Sequence, residues 1–211
     1  MQLLVKDFPQ PCIYVTSYIP RILCKNTDWN KIKAALITVS SVLVAFRFRF
    51  TEAGSFRCCY TDLIFEVRGA VTITYQFDSW EKHRSTMDIQ NLMIAGPLLD
   101  IQADPMEAVA AVHFPHFLCL TGEEKSHLYI AHFLDEGMSL EKPDHVGPFH
   151  AALKDPTFSL FGIILQTLGL KQNIMVHAVV LLYQVLEIPV PKFHLYLLPR
   201  EPNITMVKIN L

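Results

Sequence analysis

The stretch Phe46-Arg47-Phe48-Arg49-Phe50 alternates aromatic and basic residues. A period of two places the phenylalanines on one face of a strand and the arginines on the other, as in a strand that buries one face. Two further runs follow, LIFEV at 63–67 and VTITYQF at 71–77, and both are rich in β-branched and aromatic residues. These three segments predict strands and indicate an all-β fold.

Similar short segments recur toward the C-terminus, with turn signals at intervals of about ten residues. They predict strands at 98–101, 108–113, 128–132, 158–168, 175–185 and 193–198. The polar stretch 78–91 predicts a short helix, and 51–55 predicts a turn. Many short strands separated by turns favour an antiparallel β-sandwich.

The composition is that of a folded, nearly neutral protein. Of the 211 residues 51% are hydrophobic and 18% are charged, and the formal net charge is -2. Such a chain can bury a substantial core and gives no electrostatic reason to expect nucleic acid or a membrane surface as a partner. The apolar run 34–46 falls short of the roughly 20 residues that a transmembrane helix needs. Five cysteines without a CxxC pair favour reduced thiols and hence the cytoplasm, with the nucleus as the alternative.

Motifs for metal or nucleotide binding are weak or missing in the sequence. His113, His116 and Cys119 are potential metal ligands, but Pro115 breaks any helix that would align them, and no second ligand pair follows. We interpret them as strand and turn residues. The sequence has no GxGxxG, Walker A, HExxH or GxSxG motif. We therefore expect neither a cofactor nor a metal.

The dipeptide Phe158-Ser159 and the upstream His132 form a candidate reactive set. A serine hydroxyl can attack a carbonyl when a histidine accepts its proton. Taken alone, however, such residues are usually structural, and only the surrounding sequence gives them meaning.

That surrounding sequence contains a series of ordered motifs. They are EAGSFRC (52–58), FEVR (65–68), AVTI (70–73), YQFDSW (75–80), AGPLLDI (95–101), EAV (107–109), HFPHF (113–117), AHFLDEGMSLEKP (131–143), DPTFS (155–159) and FHLYLLP (193–199). In this order they resemble the FIIND (function-to-find domain) family, the self-cleaving module of inflammasome sensors. The resemblance covers roughly three quarters of the chain, from Phe46 to Pro199.

The resemblance implies a ZU-five-type β-sandwich followed by a second β-subdomain of the UPA type. We accordingly expect a divergent segment at 1–45, the first subdomain at 46–158 and a truncated start of the UPA-like subdomain at 159–211. Thr157 stands where the family usually has a serine.

The resemblance also implies an activity. Ser159 would attack the carbonyl of Phe158, His132 would move the proton, and Glu136 would be the supporting acidic residue. The protein would be at most a single-turnover serine-type autoprotease without a separate substrate. The expected partners are dipeptidyl peptidases of the 8/9 type, other FIIND proteins and, indirectly, caspase-1, with effects on apoptosis and NF-kappa-B signalling. The alternative is a non-cleaving interaction module that acts as a decoy or scaffold.

Overall fold

A computed structural model describes residues 12–17, 30–32, 35–38, 44–58, 61–120, 123–168, 174–185 and 192–199. Within these residues the chain forms sixteen strands and little helix. The first eight strands are β1 Cys12–Ser17, β2 Asn30–Ile32, β3 Ala35–Thr38, β4 Val44–Phe50, β5 Gly54–Cys58, β6 Ile64–Val67, β7 Val71–Asp78 and β8 Leu92–Asp104. The others are β9 Val109–Pro115, β10 Leu128–Leu134, β11 Gly137–Glu141, β12 His145–Val146, β13 His150–Lys154, β14 Leu160–Gln166, β15 Ala178–Val185 and β16 Lys192–Pro199.

Two large sheets form the sandwich. The seven-stranded sheet has the order β11-β10-β14-β8-β7-β4-β3, and the six-stranded sheet has the order β12-β13-β9-β6-β5-β2. A three-stranded sheet, β1-β15-β16, contains the last two strands. Among the described strands only β2 and β5 pair in parallel. The prediction of an all-β, antiparallel sandwich is therefore confirmed.

The alternating stretch at 46–50 behaves as its sequence predicts. Phe46, Phe48 and Phe50 are at most 6% exposed, while both arginines between them are exposed. The Phe46 ring stacks on Tyr75 of β7 with 5.0 Å between ring centroids. Aromatic packing between strands thus joins the predicted segments in one core. Residues of both large sheets contribute to this core.

Some strand bounds differ from the prediction. Strand β8 runs through 13 residues rather than the expected four at 98–101, because 95–99 is buried throughout and shows no alternation to read. Strand β5 begins inside the expected turn at 51–55, and β11 was not predicted because its edge position leaves most of its side chains exposed. Before residue 46, β2 and β3 add one strand to each large sheet.

The expected helix within 78–91 is a 3₁₀ turn, Trp80–His83, followed by the single α-helix of the described residues, α1 Arg84–Ile89. No helix in the described part of the chain is long and apolar enough to cross a membrane.

Candidate active site

Strands β10 and β14 are neighbours in the seven-stranded sheet, and they bring the predicted reactive residues together. His132 of β10 pairs with Phe161 of β14, and Ser159 immediately precedes β14. Ser159 therefore lies at the entry to β14, two residues before the pairing partner of His132.

Ser159 is fixed by main-chain contacts on both sides. Its carbonyl oxygen accepts a 2.9 Å hydrogen bond from the N–H of Ile101 on β8. Its hydroxyl donates a 2.9 Å hydrogen bond to the carbonyl oxygen of Phe133 on β10. The hydroxyl thus lies beside the residue that follows His132, but it does not donate to the imidazole.

His132 is a buried imidazole with one nitrogen engaged. Its side chain is 4% exposed, and its Nδ1 hydrogen-bonds the carboxylate of Glu141. Its Nε2 is buried and has no hydrogen-bond partner among the described residues. A neutral imidazole that donates from Nδ1 keeps its lone pair on Nε2, so this nitrogen can accept a proton.

Glu141, the carboxylate beside His132, was not singled out from the sequence. Glu136, the expected supporting residue, lies exposed in the turn between β10 and β11, without a hydrogen bond or ion pair to any described residue. The register explains the difference. Ile130 pairs with Glu141 across the β10–β11 hairpin, so the Glu141 side chain is on the same side of the sheet as His132. Placing the two-residue turn at 135–136 in the sequence would have revealed this.

The Phe161 ring packs against both His132 and Phe158. Its ring stacks on the His132 imidazole with 4.1 Å between centroids and an interplanar angle of 25°. Phe158 meets the same ring edge-on at 6.5 Å and is half-buried against the core. The phenylalanine side of the Phe158–Ser159 bond is thus anchored in the core, and the serine side is anchored by β8 and β10.

The chain before Phe158 is also held in place. Asp155 has φ +45°, and its N–H donates to the carbonyl of Ala110 at 2.9 Å. The Asp155 carboxylate forms an ion pair with Arg68. Pro156 is buried, and Thr157 is exposed.

The two histidines considered above as potential metal ligands make ordinary structural contacts. His113 Nε2 hydrogen-bonds Glu66 at 2.7 Å, and His116 Nε2 donates to the carbonyl of Gly147 at 3.1 Å. Burial lowers the pKa of His116 to about 4, helped by the nearby His150. In the part of the chain that the structure describes, no group of three or more His, Cys, Asp or Glu side chains could hold a metal ion.

Comparison with known proteins identifies the domain. The family described as "Function to find" (FIIND) matches residues 39–170. The chain is 42% identical over 166 residues to caspase recruitment domain-containing protein 8 of Pongo abelii, and 41% over 162 residues to that of Homo sapiens. These matches cover 76% and 74% of this chain, but only 39% and 30% of the relatives. NACHT, LRR and PYD domains-containing protein 1b allele 5 of Mus musculus is 37% identical over 170 residues, which are 79% of this chain and 14% of the relative. The chain therefore belongs to the FIIND family.

Proposed function

We propose that this chain is a self-cleaving FIIND module that breaks its own Phe158–Ser159 bond once. The observation that supports this best is the state of His132. Its imidazole is held by Glu141 through Nδ1, its Nε2 is buried and unpartnered within the described residues, and it lies on the strand beside Ser159. An imidazole that is oriented through one nitrogen and can accept a proton at the other can serve as a general base.

The first step is a rotation of the Ser159 side chain. The hydroxyl leaves the carbonyl of Phe133 and turns toward the Phe158 carbonyl carbon, while its proton passes to His132 Nε2. Glu141 stabilises the imidazolium that forms and keeps Nδ1 protonated, as the carboxylate does in other hydroxyl–histidine–carboxylate sites. Nucleophile and carbonyl belong to adjacent residues, so no substrate has to be bound.

The proton taken up by His132 is then used to break the peptide bond. As the bond from Ser159 Oγ to the Phe158 carbon forms, the carbon–nitrogen bond breaks, and His132 returns the proton to the Ser159 nitrogen. The product is an ester with a free amine. Water then opens the ester to give the Phe158 carboxylate and restores the Ser159 hydroxyl.

The rate that a single-event reaction needs is low. One event per hour corresponds to a barrier of about 22 kcal/mol. A positioned base accelerates proton transfer by about 10² to 10⁴, or roughly 3 to 5 kcal/mol. The proposed base thus supplies a sizeable part of the lowering of the barrier.

The role of cleavage is proposed from the family resemblance. The chain spans less than half the length of the relatives described above, so the activity of a whole protein is proposed only by analogy. We place the module in the cytoplasm, where it takes part in inflammasome-related control of caspase-1, apoptosis and NF-kappa-B signalling. Its proposed partners are dipeptidyl peptidases of the 8/9 type and other FIIND proteins.

One observation favours a second function, that of a non-cleaving interaction module. The Ser159 hydroxyl donates to Phe133 rather than to His132, and a serine locked in this way would not react. In that case the intact chain would bind the peptidase or a relative as a decoy or scaffold.

Substitutions of the two glutamates separate these proposals. Glu141→Gln should slow cleavage by about tenfold or more, because the imidazole loses the acceptor that orients it. Glu136→Gln is the matched control and should cleave like the parent chain, since Glu136 lies in an exposed turn. His132→Gln should abolish cleavage. Normal cleavage in His132→Gln, or slowing by Glu136→Gln alone, would contradict the proposed mechanism, and an intact parent chain would favour the interaction module.

A further inference from the structure

Trp80 contacts β14 and its neighbour β8 from the outer face of the seven-stranded sheet. Its indole lies directly over Gly162 of β14. A Cβ at Gly162 would be 2.1 Å from Trp80 Cζ2, so only glycine fits there. The indole N–H also donates a 3.0 Å hydrogen bond to the Gly96 carbonyl of β8.

Two further contacts join the same segment to β10 and β14. The His83 ring packs against Phe133 at 4.0 Å between centroids. Met87 of α1 is 3% exposed and packs in a small cluster with Ala131 of β10 and Ile164 of β14. We call residues 80–89 the strap, since this segment touches β8, β10 and β14.

Few buried contacts attach the strap to the sheet. Of its described side chains only Met87 is buried, with Trp80 and His83 half-buried and the others exposed. Helix α1 has no side-chain cap at its N-terminus, and the ion pair of Arg84 with Glu81 is exposed. Exposed ion pairs and an uncapped helix of six residues contribute little stability, so the attachment depends on the apolar contacts, chiefly that of Trp80.

We propose that the strap is a surface of the N-terminal piece that helps the two strand ladders of β14 to hold the C-terminal piece in the sheet, with Trp80 as its anchor. This rests on the proposed function, because the strands separate into two pieces only if the Phe158–Ser159 bond breaks. Strand β14 then belongs to the C-terminal piece, whereas β8, β10 and the strap belong to the N-terminal piece. The strap thus packs on the outer face of β14, where Gly162 leaves room for the Trp80 indole.

Trp80 is suited to this role because it contacts both pieces that cleavage would produce. It contacts the C-terminal piece at Gly162 and the N-terminal piece at Gly96. Withdrawal of the strap would uncover the outer face of β14 and leave the strand held by its two ladders and the core.

One test uses hydrogen exchange in the uncut Ser159→Ala chain. Adding Trp80→Ala should speed exchange of the β14 amides by at least about tenfold, while the amides of β9 in the other sheet stay within about twofold. Trp80→Phe keeps a ring over Gly162, so its β14 exchange rate should lie between those of Trp80→Ala and the Ser159→Ala parent. Arg84→Ala, on the exposed side of the strap, is the matched control and should have no effect.

The second test uses the parent chain after cleavage, with a tag on the N-terminal piece. Trp80→Ala should release the C-terminal piece at a lower urea concentration. Gly162→Ala should do the same, because its methyl group collides with the indole, but should add little when Trp80 is already alanine, since the nearest remaining atom is Leu98 Cδ1 at 3.1 Å. Unchanged β14 exchange in Trp80→Ala, equal acceleration in both sheets, or fully additive losses in the double variant would overturn the proposal. An uncut parent chain would refute the proposed cleavage. The exchange test would then still show whether the strap stabilises β14.

Discussion

Acidification is expected to destabilise the sandwich through two histidines, His116 and His150. Burial lowers the pKa of both side chains from 6.5 to about 4. His150 lies beside Asp62, which raises its pKa, while Arg57 and His113 lower it. His116 faces His150 and His177, whose charges also disfavour its protonated form.

The direction follows from proton binding. In the unfolded chain both histidines take up a proton below about pH 6.5, whereas in the folded chain they stay neutral until about pH 4. The unfolded state therefore binds more protons in this window. The stability contributed by the neutral histidines is fully present above pH 6.5 and is lost as the pH falls from 6.5 toward 4.

The size of the loss can be worked out from the same shift. At about pH 5 each histidine accounts for about 2 kcal/mol, and the pair for up to about 4 kcal/mol. The contribution of His150 should be the smaller one, because 15% of its side chain is exposed and that of His116 is buried. Folded domains are stable by only about 5 to 15 kcal/mol, so a loss of this size is readily measured.

The assay is urea unfolding of the Ser159→Ala chain at about pH 7.5 and about pH 5. The variant carries His116→Gln and His150→Gln, because a glutamine Nε2 can still donate to the carbonyl that each histidine contacts but does not titrate. The variant should lose up to about 4 kcal/mol less than its parent on acidification. The same loss in both chains would refute the attribution to these histidines.

Three further substitutions test the packing, each by urea unfolding of the same parent. Gly96→Ala places a Cβ 2.6 Å from the Pro115 carbonyl oxygen and should cost about 1 to 3 kcal/mol, and an unchanged midpoint would show that β8 can shift. Tyr75→Phe removes the buried 2.6 Å hydrogen bond with the Thr61 hydroxyl and should cost about 1 to 3 kcal/mol, unless the hydroxyl finds a new partner. Lys82→Ala breaks an exposed i,i+4 ion pair and should change stability by less than about 0.5 kcal/mol, and a larger loss would mean that this pair holds the strap.

The fold class could be predicted because the strands near the N-terminal side of the sandwich bury one face each. The alternation at 46–50 is visible in the sequence, and Phe46 and Phe48 are buried as it predicts. Strand β8 was underestimated because both of its faces are covered at 95–99 and alternation disappears. Edge strand β11 was missed for the opposite reason, since few of its side chains are buried.

The candidate site depended on information that periodicity does not contain. His132 and Ser159 were selected through the family resemblance, and the pairing of β10 with β14 places them together. Glu141 was missed because its approach to His132 depends on the register of a hairpin. Trp80 was matched only as part of a motif, because its contact with Gly162 depends on how the strap crosses the sheet.

The most direct test of self-cleavage at Phe158–Ser159 is the intact mass of the purified 211-residue chain under denaturing conditions. We expect two species, residues 1–158 and 159–211, in the parent chain and a single 24.1 kDa species in Ser159→Ala. A single full-length mass in the parent chain, or the same two fragments in Ser159→Ala, would contradict the proposed reaction.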